Sequence, residues 1–145
     1  MTPITMLDIT KANDMQFVYC AFCEEGDDVY VKIGRSSKPF QRLGDISTYC
    51  PFVIKRAVYA SVGSLSLAES IERLCMHELK QFRLRGEWYK FKKNQGKEFT
   101  SIFHAIYRRK TKRELRWTHV DMDLLRDSVR AAAAKAYAAM QDRRT

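Results

Sequence analysis

Gln16–Cys23 reads Q-F-V-Y-C-A-F-C and Val29–Gly34 reads V-Y-V-K-I-G, with E-E-G-D-D at Glu24–Asp28 between them. Both runs are rich in aromatic and β-branched residues, which crowd a helix but pack well on a pleated surface. A connector of about five residues containing a glycine joins them as a β-hairpin. Ser36 and Ser37 then offer an N-cap, Pro39 suits a first helical turn, and Phe40–Thr48 continues as a short helix. After the break at Tyr49–Pro51, Phe52–Ser61 (F-V-I-K-R-A-V-Y-A-S) reads as a third strand. The order β-β-α-β with further helices to follow makes this an α+β domain.

Outward from this unit the pattern turns helical. Gly63 and Ser64 open a helix on which Leu67, Ile71, Leu74, Cys75, Leu79 and Phe82 recur at helical spacing, and Gly86 ends it. Glu87–Phe91 (E-W-Y-K-F) reads as a short strand or an ordered turn. Lys97–Arg109 is expected to be a helix with Phe99, Ile102, Phe103, Ile106 and Tyr107 as its buried stripe. Val120–Arg143 is a further helix, with Asp121 and Asp123 in its first turn and Arg143–Arg144 at its end, both matching the macrodipole. Its A-A-A-A-K-A-Y-A-A segment has a narrow, smooth face. That face either docks on the domain or pairs with a second copy as a homodimer, and the sequence leaves both open. The expected division is an N-terminal arm (1–14), a core domain (15–92) and a basic helical extension (93–145).

The chain has 145 residues, 46% hydrophobic and 30% charged, which is globular composition for one domain and excludes a disordered or fibrous chain. No apolar run approaches the ~20 residues of a spanning helix, and Met1–Thr10 lacks the marks of a signal peptide. A soluble, cytoplasmic protein without a membrane partner is expected, in a bacterial host if phage-encoded. Four cysteines (Cys20, Cys23, Cys50, Cys75) include one C-x-x-C. In a strand, positions three apart point to opposite faces, so reduced thiols are expected rather than a zinc site. The net charge is +9, and its distribution is more informative. Lys80–Trp117 holds 13 of the 26 basic residues and 3 of the 17 acidic ones, interleaved with aromatic residues. A concentrated positive surface attracts polyanions, nucleic acid above all. Arg35, Lys90, Lys92, Lys93, Arg108, Arg109 and Lys110 are the cations assigned to DNA phosphates.

V-Y-C at Val18–Cys20, K-I-G at Lys32–Gly34 and an arginine ten positions after the lysine, at Arg42, together resemble the GIY-YIG nuclease family. Ile71–Tyr89 (I-E-R-L-C-M-H-E-L-K-Q-F-R-L-R-G-E-W-Y) is similar to the phage and bacterial branch that carries K-I-G and R-x-R-G-E-W. The likeness covers about residues 16–91. It implies a small three-stranded antiparallel sheet flanked by helices, with a helical C-terminal extension. It also implies hydrolysis of DNA phosphodiester bonds with one divalent cation, Mg²⁺ or Mn²⁺.

By the family's motifs, Tyr19 is the general base or its relay and Arg42 neutralises the scissile phosphate. Lys32 stands where many relatives have a second tyrosine and would bind phosphate, and Glu72 is the metal ligand, ahead of Glu69 on the same helix. The first triplet departs from the pattern, reading F-V-Y. Met76 stands where the branch often has histidine, with His77 beside it, and Glu87 lies near the usual late asparagine and offers a second acidic contact. These residue types suit the reaction: a guanidinium fork matches two charged phosphate oxygens, and a hard cation needs few protein carboxylates. The competing reading is a catalytically silent copy of the fold that binds DNA or a host protein. A zinc-dependent structural domain using the cysteines is a third, and it predicts unfolding by chelator.

Overall fold

In a computed structural model, residues 15–143 are described, and the expected arm at 1–14 lies outside them. The expected hairpin forms, but with a turn of two residues, Gly26 and Asp27, in place of about five: β1 (Gln16–Glu25) and β2 (Asp28–Ser36) pair antiparallel through Glu25↔Asp28, and Gly26 turns at a φ of 59° that only glycine adopts readily. Helix α1 (Pro39–Tyr49) begins with Pro39 in its first turn, but Lys38 is its N-cap, and the Ser36 hydroxyl accepts the Lys38 N–H instead. Strand β3 (Arg56–Gly63) pairs with the other edge of β1. It starts four residues later than expected because Phe52 turns away to stack on Tyr30, ring centroids 5.1 Å apart.

Helix α2 (Leu65–Glu78) is capped by the Ser64 hydroxyl, which accepts the Leu67 N–H at 3.2 Å. There follow β4 (Arg83–Arg85), β5 (Trp88–Lys92), α3 (Gly96–Thr111), β6 (Thr118–His119) and α4 (Met122–Asp142), the last capped by Asp121.

The sheet is larger than the resemblance implied. It has six strands in the order β4-β5-β2-β1-β3-β6, so the expectation of a three-stranded sheet is corrected; the α+β class stands. The central three are the expected strands, and each outer edge of that trio would otherwise present a row of open backbone groups. On one side β5 pairs with β2 from Asp28↔Lys92 to Lys32↔Trp88, and Gly86, at φ 57°, turns β4 back onto β5. On the other side β6 covers Val58 and Tyr59 of β3. R-L-R and T-H are too short and too polar to show a strand period.

Helices flank both faces. Val18, Cys20, Val31, Ile33 and Val58 pack on one face against Ile71 and Cys75 of α2 and Phe103 and Ile106 of α3. Tyr19, Ala21, Cys23 and Ala57 face the other way, against Leu43 and Ile46 of α1 and Leu125 of α4. Cys20 and Cys23 thus lie on opposite faces, and all four cysteines are free thiols. Beyond Arg130, every residue of α4 through Asp142 is exposed. Among the described residues no helix is long and apolar enough to cross a membrane.

Candidate active site at a notch in the sheet

Strand β5 begins at Trp88, opposite Lys32, so the end of β2 runs on without a neighbour on that side. The Ile33 N–H is taken by the Glu87 carbonyl at 3.0 Å, and there the ladder stops. At this notch, side chains from both faces of the sheet reach a common edge.

From the α1 face comes Tyr19. It sits directly across from Gly34 in the register, 1% exposed, with its phenol folded over the glycine. A Cβ on Gly34 would fall on the Tyr19 hydroxyl. The glycine of K-I-G is therefore required for close approach and not for a left-handed backbone, since its φ is not positive. Arg42, projecting from α1, lies within hydrogen-bonding range of the Tyr19 oxygen. Burial pushes the phenol up to about 12; Arg42 pulls it down by less, and the Glu87 carboxylate nearby adds to the rise.

From the α2 face comes Glu72, its side chain 13% exposed. Its Oε1 accepts Arg35 Nε at 2.6 Å, and its carboxyl also meets that of Glu87. Burial, then the Glu87 carboxylate, push the Glu72 carboxyl up to about 7 against the opposing pull of Arg35. Glu87 itself pairs with Lys32 Nζ at 3.4 Å, and that ammonium lies 5.6 Å from the centre of the Trp88 ring. Glu87 is thus the hub. It touches Glu72 and Lys32, and its charge reaches Tyr19, which Arg42 holds from the other side.

Tyr19, Lys32, Arg42 and Glu72 accordingly share one edge of the molecule. Glu69, the rival on α2, only approaches Arg35 at 3.7 Å. Arg35 is turned toward these two acids. Other cations assigned to DNA also have acidic neighbours. Lys90 and Lys92 share Asp28 (3.7 and 2.6 Å), Lys93 meets Glu24 (3.8 Å), Arg108 meets Glu114 (3.3 Å) and Arg109 meets Glu78 (2.6 Å). Such exposed pairs are weak and exchange readily for phosphate. Lys110 has no ion pair among the described residues. Glu87 is the residue whose weight sequence reasoning understated. Its signal was its place directly after the turn glycine Gly86, one residue ahead of β5.

The chain matches the T5orf172 domain over residues 16–104. It belongs to that family. The T5orf172 domain is phage-associated and nuclease-related, and it occurs with endonuclease-like proteins. The matched span runs from the start of β1 into α3, so it contains the whole notch. Neither curated proteins nor solved structures gave a match to the chain. The T5orf172 domain points to a nuclease-like or DNA-related role.

Proposed function

We propose that the chain is a DNA endonuclease of the GIY-YIG type, cleaving phosphodiester bonds at the notch with one Mg²⁺ or Mn²⁺. The observation that carries this reading is Glu87 joining the acid Glu72 to the Tyr19–Arg42 pair across the edge of the sheet. A phosphodiester needs both kinds of group at once: cations for its oxygens and acids that hold a metal or move a proton.

Glu72 and Glu87 fit a hard divalent cation. Two abutting carboxyls, one of them raised to about 7, are oxygen donors that lack enough positive charge between them. Among the described residues no cluster of three or more His, Cys, Asp or Glu side chains is gathered for a metal, so water and phosphate would complete the shell. When bound, the ion supplies Lewis-acid stabilisation of the charge that builds on the phosphate and the departing oxygen. Arg42 directs its guanidinium fork at a non-bridging phosphate oxygen, and Lys32 exchanges Glu87 for a second one. Tyr19, raised to about 12, keeps its proton at neutral pH, which favours a relay that orients the attacking water over a free phenolate.

Supercoiled-plasmid nicking with Mg²⁺, Mn²⁺ or EDTA tests the reading, run beside Glu72→Ala and Arg42→Ala. Metal-dependent nicking abolished by each substitution is the expected result. A second reading has its own observation: Arg35 already holds Glu72 at 2.6 Å, as in a silent copy that only binds. Duplex binding that persists in EDTA and in both variants, with no cleavage in any metal, would favour it.

A further inference from the structure

At the opposite end of β2 from the notch lies a groove of about 720 Å³. It crosses the face that carries α2 and α3, from the start of β3 over Phe22 and Val29 to Phe91, and is walled by the first two turns of α3. Its charges come from two sides. Arg56 enters from the start of β3 with Lys55 just before it, and Lys97 from the first turn of α3 with Lys93 in the turn ahead of that helix, against one acid, Glu24. Glu24 stands between Lys55 and Lys93, 3.8 Å from each. The Arg56 guanidinium lies over the Phe22 ring, 4.3 Å from its centre, and neither it nor Lys97 enters an ion pair among the described residues.

We propose that this groove is a second nucleic-acid contact, which seats the phosphodiester backbone of the strand at a distance from the notch. The proposal rests on the reading of the chain as a DNA-acting domain and extends it to a surface outside the cleavage chemistry. Three features carry it. The groove holds four cations to one anion, and the two cations without ion pairs stand on opposite walls. The exposed α3 face adds Thr100 and Ser101, whose hydroxyls can donate to phosphate. Arg56 is exposed, and a guanidinium held over an aromatic ring keeps N–H groups free for phosphate.

The dimensions agree with a nucleic-acid strand. Three strand spacings of about 4.8 Å separate Arg56 on β3 from Phe91 on β5, a width of about 14 Å. The rise along the axis is about 3.4 Å per phosphate of one strand, and the winding of the backbone sets successive phosphates farther apart than that, so a crossing strand places about two phosphates against these cations. Along β2, Val29 at the groove and Gly34 at the notch are five residues apart, about 17 Å. This corresponds to about five base pairs of rise. The groove therefore gives the enzyme a footprint on one side of the cut.

The test is a fluorescence-anisotropy titration of a labelled 20-base-pair duplex over a salt series, alongside plasmid nicking. Arg56→Gln/Lys97→Gln is compared with wild type and with Lys135→Gln on α4. Lys93→Gln/Lys97→Gln is a second variant that leaves the Phe22–Arg56 stack intact. We expect both double variants to bind about tenfold more weakly at 0.1 M salt, with the log–log salt slope shallower by about two. Lys135→Gln should match wild type in affinity, salt slope and nicking. Wild-type affinity and slope in both double variants would overturn the groove. If wild type nicks nothing but both double variants lose binding, the groove stands and the nuclease reading falls. A wild type that binds no duplex overturns both.

Discussion

Replacing Glu72 with Gln keeps the shape of the side chain and removes its charge, and the structure sets the sign and size of the result. The carboxyl is pushed from 4.5 to about 7, first by burial and then by the neighbouring Glu87. Between those pH values the folded chain holds a proton that the unfolded chain has released. Stability is therefore highest below the lower value, falls as pH rises through the window, and is flat above about 7. At 1.36 kcal/mol per pH unit, the charged carboxylate costs the fold about 3 kcal/mol at pH 8. The rise to about 7 is already net of the pull of Arg35, so the neutral Gln variant escapes the whole cost and gains about 3 kcal/mol at pH 8. For a domain of this size that gain raises Tm by about 6–12 °C. Thermal melts by circular dichroism at pH 5, 6, 7 and 8.5 in EDTA provide the check. The two curves should converge at pH 5 and separate at pH 8.5, with the variant the more stable and inactive in nicking. Added Mg²⁺ should raise the wild-type Tm and leave the variant unmoved. A variant less stable than wild type at pH 8.5, or a gap that does not change with pH, would refute the reasoning.

Two further outcomes follow from packing. Gly34→Ala places a methyl group on the Tyr19 hydroxyl, so the ring must move; a loss of about 1–3 kcal/mol in urea unfolding and of nicking together is expected. Leu125→Ala empties the one fully buried side chain that α4 inserts beside Leu43 and Ile46. It should cost about 2–5 kcal/mol of α4 docking, read as rapid limited proteolysis within 122–142 while the sheet stays resistant.

The parts of the fold that were legible are those whose residues advertise a period. The β1–β2 hairpin, the stripe of α2 and the Phe99–Tyr107 face of α3 each bury enough apolar surface for the spacing to show. The edge strands β4 and β6 were not legible, because Arg83–Arg85 and Thr118–His119 are exposed and held by backbone bonds that any sequence can make. The late start of β3 was hidden for a related reason: Phe52 and Val53 have strand character, but Tyr30 offers Phe52 a ring to stack on. At the site, Tyr19, Arg42 and Glu72 could be picked out by their resemblance to family motifs, yet nothing in those motifs says that groups from opposite faces of a sheet meet. That meeting depends on where β5 begins. Glu87 gains its neighbours from this end of a strand, a tertiary fact with a faint local trace. The cations of the basic stretch were counted correctly, but counting could not say that Asp28, Glu24 and Glu78 fold back against several of them.

The Tyr19–Gly34 contact makes two distant positions one unit of heredity. The phenol fills the volume a side chain at 34 would need, so a larger residue at 34 is admissible only once 19 has become smaller. Their effects on stability should therefore be strongly non-additive, with the second change nearly free after the first. A lineage that has surrendered the tyrosine is released from the glycine as well. A chain that shows both residues together carries the memory of a ring still held in use.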